Sequence, residues 1–137
     1  MNETVLKVSL VQVARSYKGF VVIRHEDRFT HGIPDLSITY KKRTFWLEVK
    51  YADPKFSTKG IQELTMMRLA LAGFAYFIIY YEKGKEKRTF IVHPKDIGKS
   101  FDELLTCCPN TDEFDHDYVI RFIQELSNKK EIINDYY

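Results

Sequence analysis

Cysteine, proline and glycine are scarce in this 137-residue chain, at 2, 4 and 6 residues. The two cysteines are the neighbours Cys107 and Cys108. One adjacent pair cannot build a disulfide framework, so they read as packing residues in a reducing compartment. With so little Gly and Pro, collagen and low-complexity disorder are excluded. Long apolar runs are missing too. The longest uncharged stretch, Leu69 to Tyr81, has 13 residues and contains Gly73, whereas a spanning helix needs about 20. Met1-Asn2-Glu3 does not open a basic region leading into an apolar one, so no signal peptide is expected. Neither G-x-x-x-x-G-K nor G-x-G-x-x-G occurs, which leaves no nucleotide-loop argument. Cys107, Cys108 and His116 lack a zinc spacing, and no second pair completes four ligands. These absences lead us to expect one cytoplasmic domain without a membrane partner.

What is present suits a single core: 45% of residues are hydrophobic, 15% aromatic and 29% charged. A chain of this size buries roughly two-thirds of its unfolded surface. The net charge of +2 is a cancellation. Residues 1–101 hold 18 Lys/Arg against 10 Asp/Glu, and residues 102–137 hold 3 against 9, so a +8 body is joined to a −6 segment. A basic body suits a polyanionic partner, although uneven surface charge alone gives the same numbers.

Apolar spacing predicts a helix over Glu3–Lys18, with Leu6, Leu10, Val13 and Tyr17 on one face and Gly19 beyond its end. Phe20–Ile23 is strand-like, and Glu26–Gly32 is a loop. Two segments alternate strictly. Leu36, Ile38 and Tyr40 oppose Asp35, Ser37 and Thr39; Phe45, Leu47, Val49 and Tyr51 oppose Trp46, Glu48 and Lys50. A helix capped by Ser57 or Thr58 runs to Ala72, and Ala75–Tyr81 is a strand buried on both faces. Glu82–Lys87 reads as a charged hairpin loop before a strand at Thr89–Val92. Beyond Lys95, helices are expected at Phe101–Cys108 and Tyr118–Asn128. The fold class is therefore α/β (α+β), in the order α-β-β-β-α-β-β and then helices. Its core is residues 1–95, and residues 96–137 form an acidic helical extension of the same domain.

The informative constellation is Pro34-Asp35, twelve residues, then Glu48-Val49-Lys50. Phosphodiester hydrolysis at neutral pH is served by a divalent metal that polarises phosphate and acidifies water. Mg²⁺ takes hard oxygen ligands, which Asp35 and Glu48 can supply, while Lys50 can stabilise charge developing on phosphate. Opposed residues of an antiparallel pair share a face. Asp35 therefore joins Glu48 and Lys50 only if the hairpin loop is even in length, with two or four residues, or if a bulge intervenes. Taken alone, Glu48 and Lys50 are an ordinary pair on a solvated strand face. Trp46 on the same face, with a helix crossing afterwards, makes a cleft the better description.

These residues resemble the PD-(D/E)XK nuclease superfamily and, within it, the VRR-NUC (virus-type replication-repair nuclease) domain. The likeness rests on Glu3 in the first helix, Gly32-Ile-Pro-Asp35-Leu, Phe45-Trp-Leu-Glu48-Val-Lys50, Ser57 with Gln62, the Leu71-Ala-Gly73 stop and the strand Tyr76–Tyr80. It spans residues 1 to about 93. The resemblance implies a restriction-endonuclease-like α-β-β-β-α-β core and a Mg²⁺- or Mn²⁺-dependent endonuclease. Asp35 and Glu48 would be metal ligands, joined by the Val49 carbonyl and Glu3, and Lys50 would be catalytic. Glu3 also lies on the packed face of its helix, although a first-turn acid is equally explained by the helix dipole. Gln62 matches the family glutamine, and His31 could reach a phosphate or the metal from its loop.

Lys41, Lys42, Arg43, Lys55 and Lys59 are candidates for binding a nucleic-acid backbone, with solvated turns as the plainer reading. The expected substrate is DNA, with branched forms such as a four-way junction suggested by analogy with small resolvases, and the expected assembly is a homodimer. The family tilts the source toward viruses and mobile elements, which would put the protein in a host cytoplasm. An RNA nuclease, a restriction or transposon nuclease subunit, or a non-cutting nucleic-acid-binding module are the alternatives.

Overall fold

The computed structural model describes residues 2–25, 33–53 and 64–129. Helix α1 spans Glu3–Ser16, and its Asn2 cap accepts a hydrogen bond from the Val5 N–H at 2.9 Å. Leu6, Leu10 and Ala14, one turn apart, bury completely with Val11. The helix stops short of the expected Lys18. Tyr17 is extended and closes the last turn on the Ala14 carbonyl, and Gly19 then reverses the chain at φ +85°. Strand β1 follows at Val21–Arg24, while Phe20 stacks on Tyr40 with ring centroids 4.3 Å apart.

β2 (Leu36–Tyr40) and β3 (Arg43–Ala52) form a hairpin closed by the Tyr40–Arg43 pair. The turn is Lys41-Lys42, with both residues at positive φ (50° and 67°), the geometry that matches the twist of two-residue hairpins. Two lysines are poor residues for it, and distant contacts hold it. Arg43 donates to the Leu126 and Ser127 carbonyls at 3.1 and 2.7 Å, and Lys41 donates to Asn128 at 2.5 Å. The even register is thereby realised: Leu36 faces Leu47 and Ser37 faces Trp46.

Helix α2 is described over Leu64–Ala72, and its expected start at Ser57 or Thr58 lies outside the described residues. It leads into β4 (Phe74–Lys83), which pairs parallel with β3. β5 (Glu86–Val92) returns antiparallel. The proposed loop Glu82–Lys87 is mostly strand. Glu82 pairs across with Lys87, their charges are 3.8 Å apart, Tyr51 donates to Glu82 at 2.7 Å, and only Gly84-Lys85 turns. A 3₁₀ turn at Pro94–Asp96 precedes α3 (Phe101–Cys107), which is opened by a Ser100/Glu103 capping box.

The segment after Lys95 is not purely helical. Asn110–Asp112 adds a sixth strand, β6, beside β5, where Arg88 bonds Asn110 and pairs with Asp112. Three polar residues carry no apolar alternation, so nothing in that stretch announces a strand. Helix α4 covers His116–Ser127.

The sheet runs β1 to β6 in chain order, antiparallel except at β3–β4. On one face α1 and α4 pack Leu6, Leu10, Val119 and Ile123 against Leu36, Phe45, Leu47 and Ile78. On the other, Met66, Leu104 and Cys108 cover Phe77, Ile79 and Phe90, with Trp46 at the margin. β4 feeds both cores by alternation, as its unbroken apolar run requires. Among the described residues, no helix is long and apolar enough to cross a membrane. Relieving one left-handed lysine tests the turn. Lys42→Gly is expected to stabilise the protein by about 0.5–1 kcal/mol, seen as a higher urea midpoint at unchanged slope. An unchanged or lower midpoint would show that the turn is unstrained.

Candidate active site at the end of strand β3

β3 has ten residues but β2 has five, and the register pairs β2 with Arg43–Leu47 alone. Beyond Leu47, the edge of β3 that faces β2 needs other partners for its amides, because buried N–H groups are almost always satisfied. Two carboxylates supply them. Asp35 Oδ2 accepts from the Val49 N–H at 2.9 Å, and Glu3 Oε1 accepts from the Tyr51 N–H at 3.1 Å. A strand residue sends its N–H and C=O to the same side, so the Val49 carbonyl also points to this edge. Asp35 is held from a second direction by Lys7, whose Nζ lies 3.0 Å from Oδ1. The Asp35 carbonyl meanwhile accepts from the His25 amide at 2.8 Å, which prolongs β1 pairing past Leu36.

Glu48 stands on the same face as Asp35, next in the register after Leu36–Leu47 and Ser37–Trp46. Its carboxyl is pushed up to about 7. Burial is the largest cause, followed by the negative charge and the side-chain hydrogen bond of Asp35; Lys50 and the Asp35 main-chain amide pull the other way. Asp35, Glu48 and Lys50 are thus brought together. Glu3 comes to the same strand edge one rung further along. Among the described residues, it does not close with Asp35 and Glu48 into a group of three donors within 4.8 Å.

The neighbouring rung is aromatic and polar. His25 Nε2 and Ser37 Oγ are 2.9 Å apart, and the His25 ring lies over Trp46 with centroids 5.3 Å apart. The Lys41-Lys42-Arg43 cluster is not at this site. It sits at the far end of β2 and β3, six residues from Asp35 and so roughly 20 Å away, with Lys41 and Arg43 engaged on the last turn of α4. Arg43 thereby caps the last carbonyls of α4, where a cation suits them, and Lys41 binds the side chain of the cap residue Asn128. His31, Lys55, Lys59 and Gln62 lie outside the described residues. Lys7 was not anticipated. Its signal was available, since it stands four residues after Glu3 and so on the same face of α1.

The donors gathered here are hard oxygens on a half-buried, like-charged pair, an arrangement that a divalent cation would relieve. No protein-family model matches the sequence, and no curated protein does. Among solved structures, the chain is similar to Hjc, a Holliday junction resolvase from the archaeal hyperthermophile Archaeoglobus fulgidus. The TM-score is 0.46 at 12% identity, over 80% of this chain and 88% of that one.

The perturbed carboxyl has a consequence for stability. Glu48 holds its proton more tightly folded, at about 7, than at its ordinary 4.5. The folded state therefore binds more protons between those values, and metal-free stability falls as pH rises through that window. Glu48→Gln keeps the neutral form. It is expected to raise the melting temperature by a few degrees at pH 8 and to change it little at pH 4. Equal shifts at both pH values would remove the perturbed carboxyl from the account.

Proposed function

We propose that the protein is a divalent-metal-dependent endonuclease that hydrolyses DNA phosphodiester bonds, with branched DNA such as a four-way junction as its substrate. The observation that supports this reading is the forced approach of Asp35 to Glu48 at the end of β3, with Lys50 on the same strand face. A module that only bound nucleic acid would gain nothing from pressing two acids together in a half-buried place, since like charges there cost stability. Asp35 and Glu48 would hold Mg²⁺ or Mn²⁺, with the Val49 carbonyl and Glu3 at the same edge. The ion would supply Lewis-acid polarisation of the phosphate and a more acidic water.

The chain's own residues do the rest. The Val49 amide and Lys7 fix the direction of the Asp35 carboxylate, so little reorganisation accompanies binding. Lys50 carries positive charge to the phosphate, where negative charge grows during attack. Residues 1–101, with their +8 balance, favour the approach of a polyanion. A homodimer would present two such sites to a symmetric junction, and the cytoplasm is the setting we assign. The superfamily assignment, PD-(D/E)XK of the VRR-NUC kind, belongs to this same reading.

The experiment compares plasmid, four-way junction and single-stranded RNA, each with Mg²⁺, Mn²⁺ or EDTA. Junction cleavage with either metal and none with EDTA is expected. Glu48→Ala and Lys50→Ala should each lower the rate by about 10²-fold or more while junction binding and melting behaviour persist. Equal cleavage by wild type and both variants would overturn the site. Preferential cutting of RNA would overturn the substrate.

A further inference from the structure

A second group of donors lies away from the β3 site, at the junction between the Pro94–Asp96 turn and the end of α3. Asp96, Cys107 and Cys108 offer ligand atoms that all lie within 4.8 Å of one another. Asp96 is 8% exposed, beyond nine-tenths buried, and its two oxygens are differently used. Oδ1 is paired with the Lys99 ammonium at 2.8 Å, whereas Oδ2 is aimed inward, 3.9 Å from the Cys108 sulfur. The two sulfurs are 3.2 Å apart, although neighbouring side chains usually diverge. Cys108 is extended at the helix C-cap, and this lets it turn back beside Cys107.

We propose that Asp96 Oδ2, Cys107 Sγ and Cys108 Sγ form a binding site for a thiophilic divalent cation, zinc by its chemistry, that ties the Pro94–Asp96 turn to the end of α3. Zinc is bound by mixed sulfur and carboxylate donors in tetrahedral geometry. Bond lengths of about 2.3 Å to sulfur and about 2.1 Å to oxygen put two such sulfurs roughly 3.8 Å apart and sulfur and oxygen roughly 3.6 Å apart. The observed 3.9 Å lies within about 0.3 Å of the second separation. The sulfurs must part by about 0.6 Å, a small rotation for a side chain such as Cys107 on the protein surface. That exposure also gives the ion its path in and leaves a fourth position for water.

Charge closes as well. Binding sends both thiol protons to solvent; two thiolates and one carboxylate then carry −3, against +2 on the ion and +1 on Lys99. Lys99 would act as a positioning residue, fixing the Asp96 carboxylate from behind as outer partners of metal ligands do. The surrounding packing gives the tie a purpose. α3 has seven residues, too few to be stable alone, and Leu104 and Cys108 anchor it under the sheet.

The test uses the full, reduced protein and Cd²⁺ as the probe, because thiolate-to-cadmium charge transfer absorbs in the ultraviolet. The band is expected to saturate at one Cd²⁺ per chain, and Zn²⁺ should bleach it. Cys107→Ser and Cys108→Ser should each abolish it, and Asp96→Asn should weaken Cd²⁺ binding about tenfold or more. The Asp35→Asn/Glu48→Gln double variant should retain the band, which separates this site from the one on β3. Zn²⁺ should raise the melting temperature of wild type but not that of Cys107→Ser, whose exposed position spares the fold. No band, a band that needs two chains per ion, undiminished binding by Asp96→Asn, or an equal Zn²⁺ shift in Cys107→Ser would overturn the proposal.

Discussion

The candidate active site depends on a mismatch of strand lengths. β3 runs five residues beyond its β2 partner, and the amides on the β2-facing edge of that overhang must be satisfied by something other than a strand. Glu3 and Asp35 do this from two separate segments, one the first turn of α1 and the other the bend before β2. The acids are therefore at the end of β3 for a structural reason before any chemical one. Removing the overhang would remove the reason for α1 to begin where it does, with its first-turn carboxylate directed at the Tyr51 amide. A short β2 and a long β3 are what convert an ordinary hairpin into a place where carboxylates converge.

That convergence sets the electrostatics. Asp35 and Glu3 are each fixed by a main-chain donor on β3, and Asp35 also has Lys7. Glu48 lies on β3 itself and cannot use the edge amides of its own strand. It has the Asp35 amide and the charge of Lys50, against burial and the neighbouring carboxylate, and the balance pushes it up. The site therefore gathers its unfavourable interaction at the one acid whose position the strand dictates.

Much of this was legible because it follows from period. Alternation in 36–40 and 45–51 already put Asp35, Glu48 and Lys50 on one polar face, provided the loop was even. The apolar run 75–81 could only be a strand buried on both sides. What period cannot reach is decided by contacts distant in sequence. Two- and four-residue turns were equally open from residues 41–43, and the choice is held by Arg43 on carbonyls 83 and 84 residues later. Lys7 belongs to the site because α1 lies against the end of β3. β6 exists because Arg88 and the β5 edge recruit three polar residues. Asp96 meets the cysteines through a 3₁₀ turn that no spacing in the sequence encodes.

The charge asymmetry takes on a different meaning in this light. The acidic segment is built into the domain: Val119, Ile120 and Ile123 of α4 complete the core on the α1 face. Its polar groups answer the basic body from within, with Asp112 on Arg88 and Asp117 accepting from Tyr17 at 2.6 Å, while its last turn holds Lys41 and Arg43. Part of the opposition between the two halves is consumed in folding. Lys41 and Arg43, two of the three basic residues at the β2–β3 turn, are among the groups so engaged. Any attraction for a polyanion then rests on cations outside these contacts, and Lys50, on the polar face beside Glu48, is one that none of them engages.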